Sequence, residues 1–79
     1  MDNQIKGLDL KIKEVATRIK ELREIEGMSV TTMSKLTGVS EEEYLACENG
    51  LHDLSFAFIY RCALAFKVDV TDIIGVPII

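Results

Sequence analysis

The sequence predicts an all-α fold of five helices, on three observations. Apolar residues recur at steps of three and four rather than two. Ser29, Ser40, Ser55 and Asp69 each stand just ahead of an apolar stretch, and Gly27, Gly38, Gly50 and Gly75 stand behind one. That is the punctuation of helix starts and stops. Strand-like runs are few. Seventy-nine residues suffice for one domain with a modest core, and a 48% apolar share is too high for a disordered chain.

Helix one carries Ile5, Leu8, Ile12, Val15, Ile19 and Leu22 on one stripe. Two starts are open. Either Asp9 caps it and residues 1–9 form a loose leader, or the helix runs through Gly7 at a cost of about 1 kcal/mol. Gly27 ends it. Ser29 caps helix two, from about Val30 to Leu36, with Met33 and Leu36 inward. Gly38 supplies the turn. Ser40 and Glu43 have the S-x-x-E spacing of a capping box and open helix three, whose apolar side is Tyr44, Cys47 and part of Leu45. Asn49-Gly50 stops that helix, and Leu51 to Leu54 is a loop. Ser55 opens helix four, running to about Phe66, with Phe56, Ile59, Tyr60, Ala63 and Phe66 as its core face. Asp69 with Asp72 caps a last short helix carrying Val70, Ile73 and Ile74. The domain spans 10–75, and 76–79 is an apolar end or the start of a linker.

The net charge of −4 is unevenly spread. From Met1 to Gly27 six bases balance six acids, and from Ser55 to Ile79 Arg61 and Lys67 balance Asp69 and Asp72. Between them, Lys35 alone opposes Glu41, Glu42, Glu43, Glu48 and Asp53. The deficit therefore falls on helix three, and the basic footprint usual in a nucleic-acid binder is missing. Glu41 to Glu43 occupy a first helical turn, where each carboxylate complements the macrodipole by about 0.3–1 kcal/mol.

Several function classes are excluded at this level. Cys47 and Cys62 lie inside apolar patterns without metal-ligand or C-x-x-C spacing, so buried reduced thiols are expected. No stretch nears the ~20 apolar residues of a membrane span, and the start M-D-N-Q-I-K lacks a signal core, so a cytoplasmic protein without a membrane partner is expected. One histidine and no nucleophile–base arrangement argue against an enzyme. No metal or cofactor is expected.

The segments E-L-R-E-I-E-G-M-S (Glu21 to Ser29), K-L-T-G-V-S (Lys35 to Ser40), C-E-N-G (Cys47 to Gly50) and A-F-K-V-D-V-T-D-I-I (Ala65 to Ile74) together resemble the phage-repressor and Cro-type helix-turn-helix family. The resemblance covers roughly Ile12 to Gly75. It implies a lambda-repressor-like, five-helix DNA-binding domain of a transcriptional regulator. Y-L-A-C-E-N-G with F-I-Y-R-C-A is more narrowly similar to regulators in which such a domain precedes a cupin β-barrel, which implies a longer parent chain with a C-terminal cupin-like domain.

The resemblance also implies roles. A family charge pair between the ends of helices one and three maps onto Arg23 and Glu48, and an arginine fork on a carboxylate fixes an interhelix angle. The start of helix two, Ser29, Val30, Thr31 and Thr32, maps onto a phosphate contact, although Val30 stands where the family commonly has Gln. These residues are equally ordinary first-turn residues. Helix three, opened by Ser40, maps onto the major-groove reader, with Glu41, Glu42, Leu45 and Ala46 facing double-stranded DNA. Asn49 and His52 flank the loop that approaches the backbone. Lys11, Lys13, Arg18 and Lys20 of helix one solvate its outer face, with contact to phosphate the second option.

Helix four is apolar around most of its circumference. Phe58, Cys62 and Leu64, with Ile78 and Ile79, form a candidate second surface. Three occupants are open: a homodimer partner, a following domain, or the chain's own fifth helix and tail.

Overall fold

The computed structural model describes residues 2–75, with side chains from Gly7 onward. Its five helices are α1 (Asp2–Ile25), α2 (Val30–Thr37), α3 (Glu41–Glu48), α4 (Phe56–Phe66) and α5 (Val70–Ile74). Of the two starts open for the first helix, the continuous one is found. Residues 2–9 are helical, not a loose leader, and no break falls at Gly7. The 24 residues of α1 span ~36 Å at ~1.5 Å each, close to the 38 Å long axis of the molecule. Burial begins only at Val15 and Ala16. Leu8, expected on the core stripe, is exposed, and no described core residue precedes Val15.

The serine caps form as their spacing requires. The hydroxyls of Ser29, Ser40 and Ser55 accept from the N–H groups of Thr32, Glu43 and Phe58 at 3.0, 3.0 and 3.1 Å, each worth about 1 kcal/mol. The return half of the expected box, from the Glu43 carboxylate to the Ser40 amide, is not formed among the described residues. It is formed at α5, where Asp72 Oδ2 accepts from the Asp69 amide at 3.0 Å. Between α2 and α3 the chain turns at Gly38, whose φ of 77° is left-handed and whose N–H closes on Ser34 O. A side chain there would be strained by about 1 kcal/mol or more. Arg61 of α4 donates to Thr37 O at 3.2 Å and pins this turn to the body. Lys11 and Arg18 do not simply solvate α1. They donate to Ile74 O at 2.9 Å and Asp72 O at 3.3 Å, satisfying carbonyls at the end of α5.

The core joins Val15 and Ile19 of α1, Met33 of α2, Tyr44 and Cys47 of α3, Phe58, Ile59, Cys62, Ala63 and Phe66 of α4, and Ile73 of α5. Two sequence expectations fail here. Leu36 is exposed, and Ser34 and Thr37 are buried in its place. Their hydroxyls donate to Thr31 O at 3.1 Å and Met33 O at 2.7 Å, which lets small polar residues enter the core satisfied. On α4 the inward stripe is rotated. Phe58 and Cys62, expected on a docking surface, are core residues. Phe56 and Tyr60, expected in the core, are exposed and stack on each other at 6.2 Å between ring centroids. Hydrophobicity alone does not set the phase of a helix that is apolar all round.

Arg23 and Glu48 form the expected pair. Arg23 Nε donates to Glu48 Oε2 at 2.6 Å and Nη2 to Oε1 at 3.2 Å, while Nη1 donates to Met28 O at 3.0 Å. One guanidinium thus ties the end of α1, the α1–α2 loop and α3. The side chains are 15% and 2% exposed, so Glu48 is buried and Arg23 half-buried over it. The hydrogen bond to Glu48 raises the Arg23 pKa, against the opposing effect of burial. Beside it the Tyr44 hydroxyl is buried with no hydrogen-bond partner. Burial above all, then the neighbouring Glu48, pushes the Tyr44 pKa well up. Burial also raises the free thiols, Cys62 to about 12 and Cys47 with a smaller contribution from Glu43.

Three outcomes follow for stability. Arg23→Ala should cost about 3–5 kcal/mol, because it strands a buried carboxylate. Adding Glu48→Ala should cost little more, and strictly additive losses in urea melts would show the pair to be inert. Tyr44→Phe should be neutral or stabilising at pH 7, whereas a loss above about 1 kcal/mol would mean that its hydroxyl is bonded to Glu48. In alkali the unfolded chain ionises Cys47 and Cys62 near ~8.5 and Tyr44 near ~10, while the fold holds all three protonated to higher pH. The unfolded state then binds fewer protons, so stability should fall as pH rises past ~9. Cys62→Ala should flatten that fall in urea midpoints measured at neutral and alkaline pH.

Candidate nucleic-acid interface

With Tyr44, Cys47 and Glu48 turned inward, α3 presents Glu41, Glu42, Leu45, Ala46 and Asn49 along its other side. Glu41, Glu42 and Asn49 are exposed, Leu45 is 42% exposed, and Ala46 is half-buried. Ser40 is exposed, but its hydroxyl is used as the cap of α3. The backbone N–H of Asn49 closes the helix on Leu45 O at 3.0 Å, which leaves its side chain outward. His52 is exposed on the following loop, where it borders a hollow with Glu43, Cys47 and Asp53.

The start of α2 lies beside this stripe. Ser29, Thr31 and Thr32 are exposed, and Val30 is half-buried against the core, so only its amide is placed for an anion. Ser29 Oγ donates to Thr32 Oγ1 at 3.0 Å. Thr31 Oγ1 donates to Glu41 Oε2 at 2.8 Å. Two residues assigned to DNA from the sequence are thus bonded to each other across the turn. No signal in the sequence marks this contact, since the two lie on different helices. Helix geometry leaves the amides of Val30 and Thr31 without intrahelical partners, the usual anion-binding donors of a helix start.

The far end of α3 has a different character. Lys13, Thr17 and Lys20 of α1 line one shallow groove with Glu48 and Asn49. Gly50 permits this approach. Its φ is 72°, and a Cβ there would sit 3.0 Å from Lys13 Cγ. Helix α3 is therefore acidic at its start and flanked by lysines at its end. The sequence showed these bases on helix one without showing which end of α3 they meet. Among the described residues no group of metal-binding side chains gathers, and no helix is long and apolar enough to cross a membrane.

The candidate second surface divides. Phe58 and Cys62 belong to the core, Leu64 is 60% exposed, and Ile78 and Ile79 lie outside the described residues. Phe56, Tyr60 and Leu64 instead form the outward face of α4. Leu36 of α2 joins Leu64, Arg61 and Ala65 around one apolar groove.

Comparison with known proteins agrees with this architecture. The chain is similar in fold to the restriction-modification controller protein C.AhdI from Aeromonas hydrophila, with a TM-score of 0.73, 24% identity, and coverage of 78% of this chain and 94% of that one. No curated protein matches it. Residues 16–76 match the family described as "Helix-turn-helix domain". With α2, the Gly38 turn and α3 as its core unit, the chain belongs to the helix-turn-helix family, in its phage-repressor and Cro-type form.

Proposed function

We propose that the chain is the DNA-binding domain of a cytoplasmic transcriptional regulator that lays α3 in the major groove and works as a homodimer on a two-fold site. The observation that carries this is the outward stripe of Glu41, Glu42, Leu45, Ala46 and Asn49, held at a fixed angle by the Arg23–Glu48 fork. A short helix with one side locked inward is free to offer the other to base edges. The role of the structurally similar C.AhdI, a restriction-modification controller, supports a regulatory reading.

Phosphate contacts fall to three places. The amides of Val30 and Thr31 with the Thr32 hydroxyl form one. Asn49 with Lys13 and Lys20 forms the second, and His52 on its loop the third. The Thr31–Glu41 bond works against the first, since a phosphate must take the place of a carboxylate. Few cations face the duplex, so affinity is weak, and it falls with salt only through the few phosphate contacts those cations make. For the homodimer, the exposed Phe56–Tyr60 stack with Leu64 and Leu36 supplies the apolar centre.

The decisive measurement is a shift assay on mixed duplex DNA at low salt. The wild type should bind weakly, and Glu41→Gln/Glu42→Gln should bind on the order of tenfold tighter, because two charges near phosphate are removed. Lys13→Ala/Lys20→Ala should lower the salt slope by about two. Silence of both the wild type and the glutamine variant at tens of micromolar would leave the fold as an interaction module that does not bind DNA. For the dimer, Leu64→Glu should move sedimentation equilibrium toward monomer without loss of helicity. An already monomeric wild type would remove the two-fold site.

A further inference from the structure

We infer that Leu45, backed by Ala46, is the specificity-determining residue of the reading helix and that it reads the 5-methyl group of thymine. This rests on the DNA-binding function proposed above and names the base chemistry that α3 selects. The outward stripe offers two carboxylates, two apolar side chains and one amide. Glu41 is committed, because its Oε2 accepts from Thr31 at 2.8 Å and so faces back toward α2. Asn49 lies at the last turn, beside the lysine groove, and is placed for backbone rather than bases. The centre of the stripe is therefore Glu42, Leu45 and Ala46, at the i, i+3 and i+4 spacing that puts them side by side.

Leu45 is the only large apolar side chain on this stripe, and it is 42% exposed. The major groove displays one apolar group, the thymine methyl; every other edge feature is a donor or an acceptor. A leucine pressed on donors or acceptors dehydrates them without replacing their hydrogen bonds, which is costly. Pressed on a methyl, it buries apolar surface on both partners. Ala46, with its small side chain half-buried, lets the groove floor come close to Leu45. Glu42 adds a second rule. A carboxylate accepts only, so it is matched by the exocyclic amine of cytosine or adenine and repelled by the N7 and O6 acceptors of guanine. The geometry thus selects thymine at the Leu45 position with an amine-bearing base beside it.

The test selects duplexes from a randomised pool at low salt and then replaces each shared thymine by deoxyuridine, which removes the methyl and nothing else. One such replacement should weaken binding about fourfold, the transfer value of a single methyl group. The Leu45→Ala protein should bind the thymine duplex about as weakly as the wild type binds the uracil one, and should not distinguish the two. Equal wild-type affinity for both duplexes, a selected pool without a shared thymine, or a Leu45→Ala protein that keeps the preference would overturn the inference while leaving DNA binding intact. If no duplex is retained by either the wild type or Glu41→Gln/Glu42→Gln, the DNA-binding function fails and this reading fails with it.

Discussion

The geometry of the outward face of α3 depends on one ion pair, closed over a buried carboxylate. Glu48 is 2% exposed and sits in the same stretch of α3 as Tyr44 and Cys47. A carboxylate is tolerated there only because the Arg23 fork meets both of its oxygens, and removing the arginine would leave an uncompensated charge. The same guanidinium holds Met28 O, so the α1–α2 loop is fixed by the same group. Once positions 44, 47 and 48 are turned inward, helical periodicity leaves 42, 45, 46 and 49 on the other side, while Glu41, one turn before Tyr44, is exposed at the helix start and bonded to Thr31. The face offered to a ligand is thus a consequence of where one buried carboxylate finds its partner.

How much of the fold was legible in the sequence follows the range of the forces involved. Ser29, Ser40 and Ser55 were readable as caps because each satisfies an amide three residues away, inside the stretch that names it. Gly38 was readable because a positive φ is a property of one residue. The phase of α4 was not, because Phe56, Phe58, Tyr60 and Cys62 are all apolar and burial is decided by which elements lie beside them. Leu36 failed for the opposite reason. Thr37 looks polar, yet its hydroxyl folds onto Met33 O and enters the core at no cost in unmet hydrogen bonds.

The site divides along the same line. The outward stripe of α3 could be read from its inward one. The Thr31–Glu41 bond could not, nor could the meeting of Lys13 and Lys20 with Asn49, because both join residues from different helices. Likewise Lys11 and Arg18 read as solvated bases, although the carbonyls they satisfy lie more than fifty residues away. Long, flexible cations carry little positional information in a sequence, since their charged ends reach several ångströms from the backbone that fixes them.

The acidic start of α3 bears on selectivity as well as affinity. Non-specific binding to a duplex is almost wholly an attraction to phosphate, independent of sequence. Carboxylates at Glu41 and Glu42 and the absence of a basic stripe reduce that term wherever the domain lands. The contacts proposed between Leu45 or Glu42 and base edges are short-ranged and depend on which bases are present. A change that weakens every site by the same factor leaves the ratio between right and wrong sites intact, and this ratio, multiplied by the number of competing sites, decides occupancy. Negative charge that also stabilises its own helix through the macrodipole therefore lowers affinity without lowering discrimination. The homodimer proposed above would offset this by joining two copies of α3, since linked contacts add in free energy while the competition from random sequence does not grow in step.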